Sequence, residues 1–326
     1  MDRAAQSLDD WLASPKAQRR TRQRIEACGA NWAQGPIHRR FDAAMASLPD
    51  ETPETVAGAI SAIFADDTWL DELIDTLAAD LAHDSFFEPP FRAMNTDLNR
   101  GLIVYEDHRV TIAVGATPIG QLGARKSGPR GATSVNLTGR VAVFKFVKAG
   151  GARISLWEAP ALGADFSGAS AGACLRTGER QLADGDMLVV DGRRQSFVIE
   201  HARSSLLILH AEITSGQAPV RAEFDSTSGR YLGCSANSDS ASRIQMLTTL
   251  LRKLEAPQAF AAIADFLDHE DFFVRWHAMR ELLGIDLEAA LPHLRRMAAR
   301  DTHPEPRRAA RALLKRIEAD LNRKAA

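Results

Sequence analysis

The apolar residues of this chain change their spacing twice along its length, and that change limits the fold more than any other feature. Up to about Ala93 they recur every three or four residues, the period of a helix face. From there to about Ser215 they come in short runs broken by glycine, the pattern of strands and turns. Beyond Ser242 the helical period returns. This order predicts an α+β chain with N-terminal helices, a central antiparallel β-sandwich or barrel, and C-terminal α-hairpins. The boundaries it sets are an N-terminal helical segment over 1–94, a β domain over 95–218, a linker over 219–242 and a helical domain over 243–326.

Within the first segment, Trp69, Leu70, Leu73, Ile74, Leu77 and Leu81 fall on one helix face, which must pack on something. Thr52-Pro53-Glu54 reads as a helix start: threonine caps free amides, proline suits the first turn, and glutamate suits the positive end of the dipole. The basic run Arg19-Arg20-Thr21-Arg22-Gln23-Arg24 has no neighbouring aromatics for base stacking and reads as a solvated helix face.

Composition narrows the class. With 45% hydrophobic and 25% charged residues the chain is globular, and its net charge of −2 lacks the field of a nucleic-acid binder. Asp2, Arg3, Asp9 and Asp10 interrupt any apolar signal core, and no run of about 18 apolar residues follows. Cys28, Cys174 and Cys234 are odd in number and far apart, which reads as three reduced thiols. A cytoplasmic protein without membrane or nucleic-acid partners is expected.

In the middle segment, Leu102–Tyr105 and Val110–Val114 read as a hairpin reversing at Glu106-Asp107-His108. Val141–Lys148 and Arg153–Glu158 read as a second, turning at Gly150-Gly151. Met187–Val190, Ser196–His201 and Leu206–Ile213 are further strands. The stretch Gly178–Gly192, with its Gly185-Asp186 turn leading into Met187-Leu188-Val189-Val190, resembles the second half of a cupin jelly roll. The resemblance implies a small β-barrel with an internal pocket, and pairing into a homodimer through its sheets. It also implies a metal held by two histidines and a glutamate from a first motif and a histidine from a second. No histidine lies between Gly139 and Glu158, and the second-motif position falls near Gln195 or Ser196, so no cofactor is predicted. The alternative is a metal-dependent cupin-type enzyme, an oxygenase or isomerase, with ligands relocated among His108, Glu158, His201, His210 and Glu212. If Arg203-Ser204 turns a hairpin, His201 and His210 lie roughly 13 Å apart, too far to share one ion.

With Gly150-Gly151 at a turn, Phe144 faces Trp157, Phe146 faces Ser155 and Lys148 faces Arg153. That makes an aromatic surface ending in two cations, suited to a small anionic or aromatic ligand. Arg194 and Gln195 complete the candidate set. The loop Gly123–Gly131 offers further anion donors but matches no P-loop. Ser167–Gly172 lacks the spacing of a nucleophile elbow, and nothing places a histidine beside Cys174, so no catalytic residue is assigned.

The last segment repeats. Arg275 aligns with Arg307, Ala278 with Ala310 and Leu282 with Leu314, a period of 32. This resembles a HEAT-type repeat, in which small alanines let helix pairs stack closely. The final helix is basic, with Arg307, Arg308, Arg311, Lys315 and Arg316. Such a stack docks a protein partner or buttresses the β domain. The reading favours a non-catalytic ligand-binding or protein-interaction protein, a bacterial-type sensor, scaffold or regulator, over an enzyme.

Overall fold

The computed structural model describes residues 3–95, 100–120 and 134–325, and the loop at 123–131 lies outside them. Five helices come first: α1 (Arg3–Leu12), α2 (Pro15–Ala33), α3 (Pro36–Ala46), α4 (Pro53–Ala65) and α5 (Thr68–His83). Proline opens α2, α3 and α4. The hydroxyl of Thr52 accepts from the Thr55 amide (3.4 Å), as the capping reading requires. On α5 only the first turns bury a stripe: Trp69, Leu70 and Leu73 are buried, whereas Ile74 and Leu81 stand 41% and 53% exposed. The one-face expectation for that helix therefore holds for its first half, where it lies against the rest of the core.

Twelve strands follow among the described residues: β1 (Arg92–Asn95), β2 (Arg100–Glu106), β3 (Val110–Thr117), β4 (Ser134–Leu137), β5 (Val141–Lys148), β6 (Arg153–Glu158), β7 (Leu175–Gln181), β8 (Met187–Asp191), β9 (Gln195–His201), β10 (Leu206–Ile213), β11 (Val220–Asp225) and β12 (Tyr231–Ala236). They form a six-stranded sheet, β1-β2-β3-β10-β5-β8, and two three-stranded sheets, β12-β11-β4 and β7-β6-β9. Every pairing is antiparallel. The sheets face one another as a sandwich and do not close into a barrel.

The hairpin at Glu106-Asp107-His108 forms as expected, joining β2 to β3. The one at Gly150-Gly151 does not. Both glycines have the left-handed φ of a tight turn (61° and 63°), but the turn carries the chain from one sheet to another. β5 pairs with β10 and β8, and β6 with β7 and β9. The corner is crowded: a Cβ on Gly150 would lie 2.4 Å from the Ser204 carbonyl oxygen. The supposed hairpin at Arg203-Ser204 is a second such corner, with Arg203 N–H donating to Gly150 O (2.8 Å). β9 and β10 accordingly belong to different sheets. The stretch 219–242, read above as a linker, holds β11 and β12, and β11 pairs with β4.

The six-stranded sheet is apolar on both faces, and each face has its own partner. On one face Val110, Ile112, Val141, Val143, Leu209, Ala211 and Ile213 merge with Phe41, Met45, Ile60, Phe64, Trp69 and Leu73 into a single core. Each fully buried side chain of this kind contributes roughly 1.5–3 kcal/mol. Lys145 is buried among them because α4 ends there. Its ammonium donates to the carbonyls of Phe64 (2.6 Å) and Ala65 (3.3 Å) and pairs with Asp67 (3.1 Å). A cation at a helix C-terminus satisfies carbonyls that no amide reaches.

The C-terminal helices are α6 (Asp239–Lys253), the short α7 (Phe260–Ala264) between two 3₁₀ turns, α8 (Phe272–Ile285), α9 (Leu287–Arg300) and α10 (Pro304–Ala325). Ala278, Met279, Leu282, Leu294 and Ala310 form their core, so the aligned alanines are both buried. Arg275 is buried too. It binds Asp301 through Nε (3.0 Å) and Nη2 (2.7 Å), and its Nη1 donates to the carbonyls of His269 (2.9 Å) and Glu270 (2.8 Å). Arg307 donates to the Asp301 carbonyl (3.1 Å), so the repeat's arginines tie neighbouring turns together. Among the described residues no helix is long and apolar enough to cross a membrane.

Candidate functional site

Cross-strand partners share a face, so the register of the six-stranded sheet defines what points into the sandwich. One row runs Ile103, Ala113, His210, Phe144, Leu188. The next runs Thr111, Glu212, Ala142, Val190. From the opposing sheet, Leu156 of β6 pairs with Phe197 of β9, and Ile154 with Ile199. These side chains pack on Phe144, Phe146 and Leu188.

Aromatic rings dominate the interior. The His210 imidazole stacks on Phe144 at 4.4 Å and 8°, and Phe197 meets Phe144 edge-on at 5.0 Å and 87°. Phe197 also touches Phe146 edge-on at 6.2 Å. Both arrangements are favoured by ring quadrupoles. Burial pushes the His210 pKa below its ordinary value, with the Glu212 charge opposing, so the ring is neutral at pH 7.

The aromatic row ends in charge. Glu212 Oε2 accepts from Arg140 Nη1 (3.0 Å), and its Oε1 lies 3.8 Å from His210 Nε2. Arg140 Nε donates to Gln217 (2.8 Å) and Nη2 to the Asn237 carbonyl (3.0 Å). Arg140 is thus held by three residues, one on β10 and two in loops, and with Glu212 it forms a partly exposed polar edge beside a neutral imidazole. The arrangement sets a stacked imidazole beside a carboxylate–guanidinium pair.

The sequence-derived candidates divide. Phe144 and Phe146 face the interior, and Gln195 pairs in register with Glu158 two residues along from the Phe197–Leu156 pair. Trp157 lies on the other side of β6, buried with Val135, Leu137 and Phe224, its indole N–H donating to Ser155 Oγ (2.8 Å). Lys148 and Arg153 sit in different sheets and pair with Asp184 (3.2 Å) and Glu179 (3.8 Å). The two-cation surface therefore does not assemble, because the glycine turn on which it depended is a corner between sheets. Arg194 pairs with Glu158.

Of the five relocated-ligand candidates, His210 and Glu212 are neighbours. His108 instead pairs with Glu51 at the β2–β3 turn (3.2 Å), Glu158 is held by Arg194, and His201 lies opposite Arg153 at the end of β9. Among the described residues no group of three or more His, Cys, Asp or Glu could hold a metal, so the donor set does not fit the metal of the cupin resemblance. Sequence reasoning missed Phe197 and Arg140. Phe197 was detectable by alternation within β9; Arg140 was not, since its partners are 72 and 97 residues away.

The family model for HEAT repeats matches residues 233–315. No curated protein matches the chain. Among solved structures, a cupin domain from Bordetella pertussis Tohama I is similar over 37% of this chain and 99% of its own, at 11% identity and a TM-score of 0.22. A Lactobacillus farciminis oxalate decarboxylase, crystallised with formate, is similar over 56% of this chain and 40% of its own (12% identity, TM-score 0.23). An ectoine synthase from P. lautus is similar over 37% of this chain and 67% of its own (8% identity, TM-score 0.16). Likenesses at these scores carry no inference about activity. The C-terminal segment is HEAT-like over residues 233–315.

Proposed function

We propose that this is a non-catalytic binding protein whose sandwich interior takes a small aromatic molecule and whose C-terminal stack docks a protein partner, as a sensor or scaffold does. The observation that carries the ligand class is the stack of His210 on Phe144 with Phe197 edge-on, ending at the Glu212–Arg140 pair. An aromatic ligand fits better than a bare anion, because Arg140, Lys148, Arg153 and Arg194 already face carboxylates. The free cysteines, two of them buried, suit a reducing compartment.

Calorimetric titration of the purified chain with indole, benzoate and sulfate tests the reading. Indole or benzoate should bind once per chain, with affinity falling about tenfold in His210→Leu, the scale of one lost ring stack. Equal binding by wild type and variant, or sulfate binding as tightly as the aromatics, rejects it. Elemental analysis of the same preparation decides the enzyme alternative: one transition-metal ion per chain would favour it, with His210 and Glu212 as the first ligands to replace.

A further inference from the structure

Helix α6 opens the C-terminal stack directly after β12, and one of its faces has no cover. Met246, Leu247, Leu250 and Leu254, which follows the last helical residue, stand 65%, 58%, 49% and 66% exposed. The opposite side is occupied, with Ala241 and Thr248 buried and Ile244 and Leu251 packed into the neighbouring cores. At 100° per residue the four apolar positions fall within about a third of the circumference, with Arg243 between them. The patch amounts to something on the order of 400 Å², within the range that marks an interaction site on a soluble protein. It is also the reverse of what the end of a repeat stack needs, since terminal repeats normally turn a polar face outward.

The chemistry along this stripe identifies what covers it. Asp239 stands at the N-terminal end, Lys253 at the C-terminal end, and the centre lies at Met246-Leu247. Neither Asp239 nor Lys253 makes an ion pair with another described residue. A second α6 laid antiparallel across the first, on a two-fold axis through Met246-Leu247, puts Asp239 of each copy beside Lys253 of the other. The same axis lays the aliphatic stem of each Arg243 on the other copy's Leu250, as long cationic side chains cover apolar surface. Such self-complementarity is what an isologous interface requires. We infer that α6 is a homodimer interface, formed by antiparallel packing of its exposed stripe against a second copy of this chain.

The inference deepens the docking role proposed for the stack by naming its partner, and the two can fail separately. Sedimentation velocity of the full chain over a range of concentrations should show a species of twice 35.5 kDa. Leu247→Glu/Leu250→Glu should weaken dimerisation about 100-fold, each burying a charge in the interface. Both positions are exposed, so the circular dichroism and thermal midpoint of the dilute chain should stay as in wild type. Orientation is read by charge reversal: Asp239→Lys and Lys253→Asp should each weaken the dimer several-fold, and the two together should restore it. A wild type that stays monomeric at every concentration overturns the second copy as partner but not the stack as a docking element. A dimer that survives Leu247→Glu/Leu250→Glu overturns α6 as its interface and leaves the stack free to dock another protein. Failure of the double charge reversal to recover affinity overturns the antiparallel arrangement.

Discussion

Arg275→Met keeps the length of the side chain and removes its whole hydrogen-bonding head. Two bonds to Asp301 go, with those to the His269 and Glu270 carbonyls and a longer one to Thr302 Oγ1 (3.3 Å). What remains is an almost fully buried Asp301 carboxylate that keeps, among the described residues, the His303 amide as donor (2.9 Å). Removing one partner of a buried ion pair costs about 3–5 kcal/mol, because the other charge is left uncompensated. That is a large fraction of the roughly 5–15 kcal/mol that stabilises a domain, so the helical stack should open before the sandwich does. Hydrogen exchange is the assay, since it reads the stack separately. Amides of α8 and α9 should exchange at least about 100-fold faster in Arg275→Met, while those of β5 and β10 stay protected. Adding Asp301→Asn should recover part of the loss, because asparagine accepts the His303 amide without a stranded charge. A single variant within about 1 kcal/mol of wild type, or a double variant no better than the single, would refute the reasoning.

Two further outcomes follow from buried cations and imidazoles. Burial lowers the pKa of His210, His277 and His303 in the folded chain, so below about pH 6.5 the unfolded chain binds more protons. Stability is complete above that value and falls as the pH drops through the window beneath it. Urea unfolding at pH 7.5 and 5.5 should show the loss, and His303→Phe should reduce it. The imidazole of His303 stacks on Phe272 at 3.8 Å with its Nε2 unpartnered, and a phenyl ring keeps the stack while giving up the bond that Nδ1 accepts from the Glu305 amide (3.2 Å). Equal stability at the two pH values would sink this account. Lys145→Met strips the C-terminal carbonyls of α4 and should cost about 2–3 kcal/mol in urea unfolding. Asp67→Asn should cost under about 1 kcal/mol, since that carboxylate is partly exposed. A reversed order would show that the ion pair, not the helix cap, is what Lys145 supplies.

Periodicity made the three-part layout, the β2–β3 hairpin and the shared face of Phe144 and Phe146 legible in the sequence, though not which way that face points. Strand partners were not, and the glycine pair shows why. Left-handed φ values are a local demand that Gly150-Gly151 satisfy equally in a hairpin or in a corner between sheets. Which of the two forms depends on whether β5 finds a better neighbour elsewhere, and it finds β10, whose Leu206–Leu209 half is apolar on both faces. Val220, Ala222 and Phe224 alternate with Arg221 and Glu223, a strand signal masked by the serine-rich residues that follow. The polar pair His210 and Glu212 inside an apolar strand was visible, but its guanidinium partner acts across the fold, where spacing carries no information.

The union of the N-terminal helices with the six-stranded sheet has a consequence for biosynthesis. Phe41, Ile60, Phe64 and Trp69 complete their core against Leu209, Ala211 and Ile213, which lie more than a hundred residues later in the chain. At a translation rate of about 5–20 residues per second, the helices leave the ribosome on the order of 10 s before the strand that covers them exists. Throughout that interval the helices have one another, the β2–β3 hairpin and β5 to pack on, without the strand that joins β3 to β5. A chain ending before β10 would lack the strand that joins β3 to β5 and leave the apolar faces of both, and of the helices packed on them, without their central cover.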